Sequence, residues 1–281
     1  VSRWKNIALL AAATASVVAA TGCGPTTASP EASPQSGVLE LLATDLQGSL
    51  QEAVDQSSKI ETLRATIVGS GPEDSELQLT MDLRDPVSYE GVMDMEGVPT
   101  AVRMVDSAIY LEMSEAERES NDGKRWMKMD LSSDFASALG FDEQAKEVDP
   151  VRQIKTLLER EVVTVVGEET VDGVPTVHYT ATASMEEHLA LLEAQGELDS
   201  ADLANAADEM AEFSATEIKT ELWIDEQYWP RRARVTMGEM GVITIDYTDY
   251  NEPVNIEAPP AAETDDFDAL LEELKELGAG S

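Results

Sequence analysis

"SELQLTMDL", Ser75 to Leu83, alternates without a break: Leu77, Leu79, Met81 and Leu83 fall on one side of an extended chain, and Glu76, Gln78, Thr80 and Asp82 on the other. Side chains along a strand point alternately to the two faces of its sheet, so this stretch predicts a strand with one buried and one wet face, the antiparallel signature. Residues 61–69, 86–95, 98–106, 108–113 and 124–130 have the length and punctuation of further strands, with Asn121-Asp122-Gly123 as a turn. Upstream, Val38, Leu41, Leu42, Leu46, Leu50, Ala53 and Val54 recur at helical spacing, which predicts one amphipathic helix over 38–58.

Beyond the meander the period changes. Residues 132–160 look helical, broken near Asp149-Pro150, where an Asp cap precedes Pro at the first helical position. Two strands then meet at Asp172-Gly173, a dipeptide that favours a tight hairpin. A helical block over 184–212, strands at 215–225, 230–238 and 241–250, and a short acidic helix over 263–277 complete the order. About eleven antiparallel strands with interspersed helices predict an α+β fold: one large curved sheet, a half-barrel, with helices covering its concave face.

The N-terminus is of another kind. Arg3 and Lys5 precede an apolar run from Ile7 to Ala20, too short for the ~20 residues that cross a bilayer but of signal-peptide length. Ala20-Thr21-Gly22-Cys23 then reads as a lipobox, with Ala20 where Leu is usual. Cys23 is the only cysteine, so it has no disulfide partner within the chain and is best accounted for as an acylation site; a small residue beside an ordinary signal-peptidase site is the plainer alternative. Residues 24–37, rich in Pro, Ser, Thr and Ala, read as a tether able to hold the body roughly 40 Å from its anchor. The expected division is therefore signal peptide 1–22, lipidated Cys23 and tether 23–37, a folded body 38–258, and an acidic tail 259–281. The formal charge of −37 repels phosphate backbones and anionic headgroups, which argues against nucleic acid and against a basic membrane patch. Membrane attachment is expected through the lipid, on the extracytoplasmic face.

The lipobox, the tether, this order of elements and the phrases "GKRWMKMDLSSD", "VDGVPTVHYTAT" and "ELWIDEQYWPRRARVTM" resemble the actinobacterial LppX/LprAFG lipoproteins, related in fold to the LolA carriers. The likeness spans roughly residues 38–258 and rests on structural rather than catalytic phrases. It implies a hydrophobic cavity between sheet and helices that holds acyl chains of lipids, glycolipids or lipoproteins. It transfers no binding residue by position, and the acidic tail lies outside it.

No catalytic set is visible. His178 alternates with Thr176, Thr180 and Thr182 on a polar strand face, and His188 sits one turn from Leu191 and Leu192; both read as surface or helix-edge residues. There is no G-x-S-x-G elbow, and "ETDDFDALLEE" lacks the spacing of a calcium loop, so no enzyme, cofactor or metal site is expected. The sulfur-rich strands are more informative. Met81, Met93, Met95, Met104, Met113, Met127, Met129 and Met237 fall in expected strands, while all four phenylalanines fall outside them. Flexible thioethers suit a wall that adapts to ligands of varied shape, although they also fill irregular cores. Leu79, Met81, Met104, Leu111, Met127, Leu222 and Met237 belong to the apolar sets of different strands and are the candidate cavity lining. Trp126 and Trp223 alternate against those sets and are expected on the convex, solvent side, as partner contacts or as shields over neighbouring strands. Two functional readings follow: a lipid-anchored protein that binds, and by extension transports, a hydrophobic ligand, or a tethered interaction or sensory module whose sheet is an ordinary core. A continuous apolar void favours the first and a filled sheet–helix interface the second.

Overall fold

The computed structural model describes residues 34–71, 74–95, 97–132, 148–160, 162–194, 217–267 and 269–270. The signal segment, Cys23, the tether up to residue 33 and the stretch 195–212 of the second helical block lie outside the described residues. Two helices come first, α1 (Pro34–Thr44) and α2 (Leu46–Ser57), where one was expected. Apolar periodicity runs straight through 38–58, but the Asp45 carboxylate accepts a hydrogen bond from the Gly48 amide at 3.2 Å and caps α2. A side chain that satisfies an orphan helix amide starts a helix wherever the chain can bend. α1 also begins inside the stretch read as tether.

The strands β1 (Thr62–Ser70), β2 (Ser75–Asp82), β3 (Ser88–Met95), β4 (Val98–Val105), β5 (Ala108–Glu112) and β6 (Trp126–Asp130) form the expected meander. A short helix α3 (Glu115–Ser120), unforeseen from the sequence, precedes the Asn121–Gly123 turn; it starts on a reciprocal cap between Ser114 and Glu117. After α4 (Pro150–Leu158), capped by Asp149 as expected, come β7 (Val163–Val171), β8 (Val174–Ser184) and α5 (Met185–Ala194). β9 (Glu217–Asp225), β10 (Pro230–Thr236) and β11 (Val242–Thr248) follow. At the hairpin between β7 and β8, Asp172 and Gly173 both adopt positive φ, 49° and 84°, the conformation that such a turn requires.

All strands join one 12-stranded sheet in the order β12-β6-β5-β4-β3-β2-β1-β11-β10-β9-β8-β7. Every pairing is antiparallel except that of β12 (Thr264–Asp266), which lies parallel to β6. That strand is a correction: residues 264–266 were expected within a helix beginning at 263, and the tail instead extends the sheet before a helical turn at Phe267. A backbone edge left open by β6 offers donors and acceptors that no local sequence pattern announces.

The cross-strand register assigns the faces. One row runs Met127, Leu111, Val102, Gly91, Leu79, Ala65, Tyr247 from β6 to β11. The adjacent row on the same face runs Met129, Ile109, Met104, Tyr89, Met81, Leu63. A third carries Leu77, Ile67, Ile245, Ala233, Leu222 and Tyr179. Gly91 leaves no room for a side chain, for a Cβ there would sit 2.1 Å from the Gln78 carbonyl oxygen and 2.6 Å from the Leu79 Cδ2. Burial of Tyr89 on this face raises its hydroxyl pKa to about 12.

Helices cover this face unevenly. α1 packs on β7 and β8, α4 on β9 and β10, and α2 on α4 and α1. The Tyr179 hydroxyl donates to the Leu42 carbonyl of α1 at 2.7 Å. Leu42, Leu50, Ile154, Leu157, Tyr179 and Leu222 form one buried cluster under these helices. No described helix packs extensively on β2–β6.

Candidate functional site

At the β4–β6 end of the helix-facing side lies an open groove of about 1020 Å³. Its floor is Leu111 of β5 with Met127 and Met129 of β6, extended by Val98, Pro99 and Thr100 of β4. The rim is α3 with the residues before it: Met113, Ser114, Glu115, Glu117 and Arg118. Phe267 and Leu270, from the C-terminal segment, close the far wall.

The polar rim is already wired. Glu112 receives Arg118 Nη2 at 2.6 Å and Arg125 Nε at 3.0 Å, and Asn121 Nδ2 points at the Met113 sulfur at 3.5 Å. Ser114 donates to Glu117 and holds that carboxyl below the ordinary glutamate range. Beneath this rim the floor presents apolar carbon and sulfur. Such a surface gains from contact with an apolar ligand.

The candidate lining residues separate. Leu111 and Met127 line the groove, half-buried. Leu79, Met81, Met104 and Leu222 share their face but sit in the packed cluster, Met81 and Leu222 each 1% exposed. Met237 is a correction. β10 ends at Thr236, and Met237 starts a 3₁₀ turn, so it belongs to no strand face. Met113 likewise falls one residue past β5. Phe267 and Leu270 were missed as lining because they stood in the acidic tail; their i, i+3 spacing was the available sign of an apolar face needing cover.

The opposite face holds a smaller groove of about 390 Å³ between Arg64 and Arg103. Both arginines there are paired, Arg64 with Asp249 at 3.3 Å and Arg103 with Glu90 at 3.4 Å. Trp126 and Trp223 lie on this face, as alternation requires, but they are not solvent-facing: 3% and 5% exposed. Arg103 and Arg125 lie over Trp126 at 5.1 and 5.6 Å, and Arg234 over Trp223 at 5.4 Å. Arginine stems and guanidinium planes cover an aromatic face well, which is how a wet strand face buries a ring.

His178 also corrects an expectation of surface placement. It is buried, stacks on Trp223 at 4.1 Å, and has its ring nitrogens 3.1 Å from Glu169 and 3.2 Å from Glu221. The His188 side chain lies outside the described set. The Trp223 indole donates to Glu169 at 2.8 Å, and this bond, with the one to His178, holds the Glu169 carboxyl below its ordinary range. A depressed acid contributes stability above its unfolded pKa and loses it as pH falls through the folded value. Trp223→Phe is therefore expected to return Glu169 toward the ordinary glutamate value, read by NMR titration of its side-chain carboxyl carbon; an unmoved midpoint refutes the assignment. Among the described residues no group of three His, Cys, Asp or Glu side chains is placed to hold a metal ion.

No protein-family model matches the chain. An uncharacterised 31.2 kDa protein encoded between rplA and rplJ in Streptomyces griseus is 28% identical over 172 residues, 58% of this chain and 55% of the relative. A Streptomyces coelicolor protein with a provisional lipoprotein name is 29% identical over 177 residues, 60% of this chain and 52% of its own. The chain thus spans about half the length of these two relatives. Among solved structures, the Mycobacterium tuberculosis lipoprotein LppX superposes with a TM-score of 0.51 at 16% identity, over 76% of this chain and 98% of LppX. With one mostly antiparallel 12-stranded sheet and this superposition, the chain has the LppX fold.

Proposed function

We propose that this protein is anchored by a lipidated Cys23 on the extracytoplasmic face of the membrane and binds an acyl chain or similar hydrophobic molecule in the groove over β4–β6, without chemical turnover. The observation that carries this reading is the groove itself: about 1020 Å³ over a floor of Leu111, Met127 and Met129. Small-molecule sites of roughly 300–1,000 Å³ are ordinary, and an unbranched thioether floor conforms to chains of different shape. The lipoprotein names of LppX and of the Streptomyces coelicolor relative support the anchoring. Leu111 and Met127 are the first contacts with the ligand, and transport between membranes is the extension of binding.

The interaction-module reading draws on a different observation. Under α1, α2 and α4 the interface is filled, with Leu42, Ile154, Leu157 and Ile224 fully buried, so that half of the sheet has no room for a ligand. Mass analysis of lipids that co-purify with the full chain from its native membrane separates the two. Enrichment of one lipid class at about one molecule per chain is the expected result. Lipids at no more than the level carried by an unrelated membrane lipoprotein favour the interaction module.

A further inference from the structure

The rim helix α3 has only six residues, and none of its side chains is buried. A helix this short does not hold itself in water, where isolated helices below about 12–15 residues are marginal. With no side chain buried, packing does not fix its place either. The cap at its N-terminus, where the Ser114 amide donates to the Glu117 carboxylate at 2.7 Å, is internal to the helix and leaves open where the helix lies.

What relates α3 to the sheet is the end of β5. Arg118 within the helix donates from Nη2 to Glu112 Oε1 at 2.6 Å and from Nε to the Met113 carbonyl at 2.8 Å. Asn121, which follows the helix, turns its side-chain amide to the Met113 sulfur at 3.5 Å, and the Gly123 amide donates to the Arg118 carbonyl at 2.9 Å. The same Glu112 oxygen receives Arg125 Nε at 3.0 Å, one residue before β6. One carboxylate oxygen therefore gathers the last residue of β5, the helix and the approach to β6. Alternation along β5 puts Leu111 on the groove floor and Glu112, which pairs with Trp126, on the opposite face. The helix is thus bound from behind by the strand whose front carries the floor, with Met127 of β6 paired across from Leu111.

We propose that Glu112 is the positioning residue of the groove: by binding Arg118 and Arg125 through one oxygen it holds α3 at a fixed distance from the floor of Leu111 and Met127, and so limits the width of the apolar chain that the groove accepts. This rests on the groove being the ligand site. Glu112 acts through α3 and not by touching the ligand. The side chains of Arg118, Arg125 and Glu112 are 36%, 51% and 21% exposed, so solvent screens these pairs and they add little to the stability of the sheet. Their effect is to select one position for a helix that packing leaves unassigned. A hydrophobic slot with fixed walls discriminates about tenfold or more for each methylene that it must admit or refuse, and a wall free to move gives up that discrimination.

The test uses the full chain with Cys23→Ser, so that no attached lipid competes, and compares it with Glu112→Ala and Glu112→Gln in that background. Gln keeps the Oε1 acceptor and the length of the side chain, and Ala removes both. Each form is titrated with a fluorescent palmitoyl probe and with a phytanoyl probe, the same chain carrying methyl branches, and its melting temperature and amide hydrogen exchange are measured. The parent is expected to prefer the straight chain. In Glu112→Ala that preference shrinks at least about threefold, with the melting temperature near that of the parent. The Arg118 amide in α3 exchanges at least about tenfold faster there, while amides of β9 keep their parental rates, and Glu112→Gln retains most of the preference. Equal binding of the two chains by the parent, or an unchanged preference in Glu112→Ala, overturns the proposal and leaves the groove as the ligand site. So does a lowered melting temperature with faster exchange throughout the sheet, which makes Glu112 an ordinary structural residue, and so does equal loss of preference in Glu112→Gln and Glu112→Ala. A parent that binds neither probe removes the hydrophobic-ligand reading, and the positioning role with it.

Discussion

Cys23→Ser is expected to move the protein out of the membrane fraction, by release or by retention as an uncleaved precursor, while leaving the fold intact. Two acyl chains on one cysteine give a stable anchor where a single chain gives marginal residence, each buried CH₂ contributing about 0.8 kcal/mol. No described helix is long and apolar enough to cross a membrane. The formal charge of −37 opposes adsorption to anionic lipid. Fractionation followed by mass analysis of the Cys23 peptide is the measurement. An unmodified peptide together with unchanged membrane association would falsify the anchor.

Met127→Trp, and separately Leu111→Trp, are expected to abolish binding of the palmitoyl probe while leaving the melting temperature near that of the parent. Both side chains are half-buried on the groove floor, so an indole there extends into open volume. A ligand excluded from that volume loses about 25 cal/mol for every Å² of apolar surface it would have removed from water. Met81→Trp should behave in the opposite manner. Met81 is 1% exposed in the core cluster, and forcing a larger side chain into closed packing costs about 1–3 kcal/mol. The pair of measurements is informative as a contrast: full probe binding by Met127→Trp sinks the groove as the site, and an undiminished melting temperature in Met81→Trp shows unfilled space around Met81.

These two positions also mark how far the sequence could be read. Met81 and Met127 belong to the apolar sets of different strands, expected to line one face, and the register does place them on the same face. What separates a packed methionine from a groove methionine is how closely the rest of the fold closes over it: Met81 is 1% exposed in the core cluster, and Met127 is half-buried in the groove. Coverage by α1, α2 and α4 is set by contacts between elements more than a hundred residues apart, such as Tyr179 with Leu42, and leaves no period in the local sequence. The tryptophans illustrate the same limit from the other face: alternation fixed their direction, but burial came from Arg103 on β4, Arg125 before β6 and Arg234 on β10.

Boundaries failed where a side chain or an edge competed with periodicity. Asp45 interrupts a run that reads as one helix because a cap needs only one carboxylate and a bend. Met237 left its strand because the chain turns at Gly238 with φ 54° and Gly241 with φ 123°, conformations that glycine adopts without strain.

By itself the sequence determined the class of this protein: period-two alternation in Ser75 to Leu83 and its neighbours, the Asp172-Gly173 hairpin and the Asp149-Pro150 cap are local signals, each settled by the stereochemistry of a few adjacent residues. Only the tertiary structure decided that β1 pairs with β11 to make one sheet and that helices close one half of its face and leave a groove over the other. It alone decided, too, that the acidic tail crosses the back and returns Phe267 and Leu270 to the front. Pairing of edges and coverage of faces are choices among distant partners of similar local character, and the free energy that selects among them appears only when the whole chain is packed.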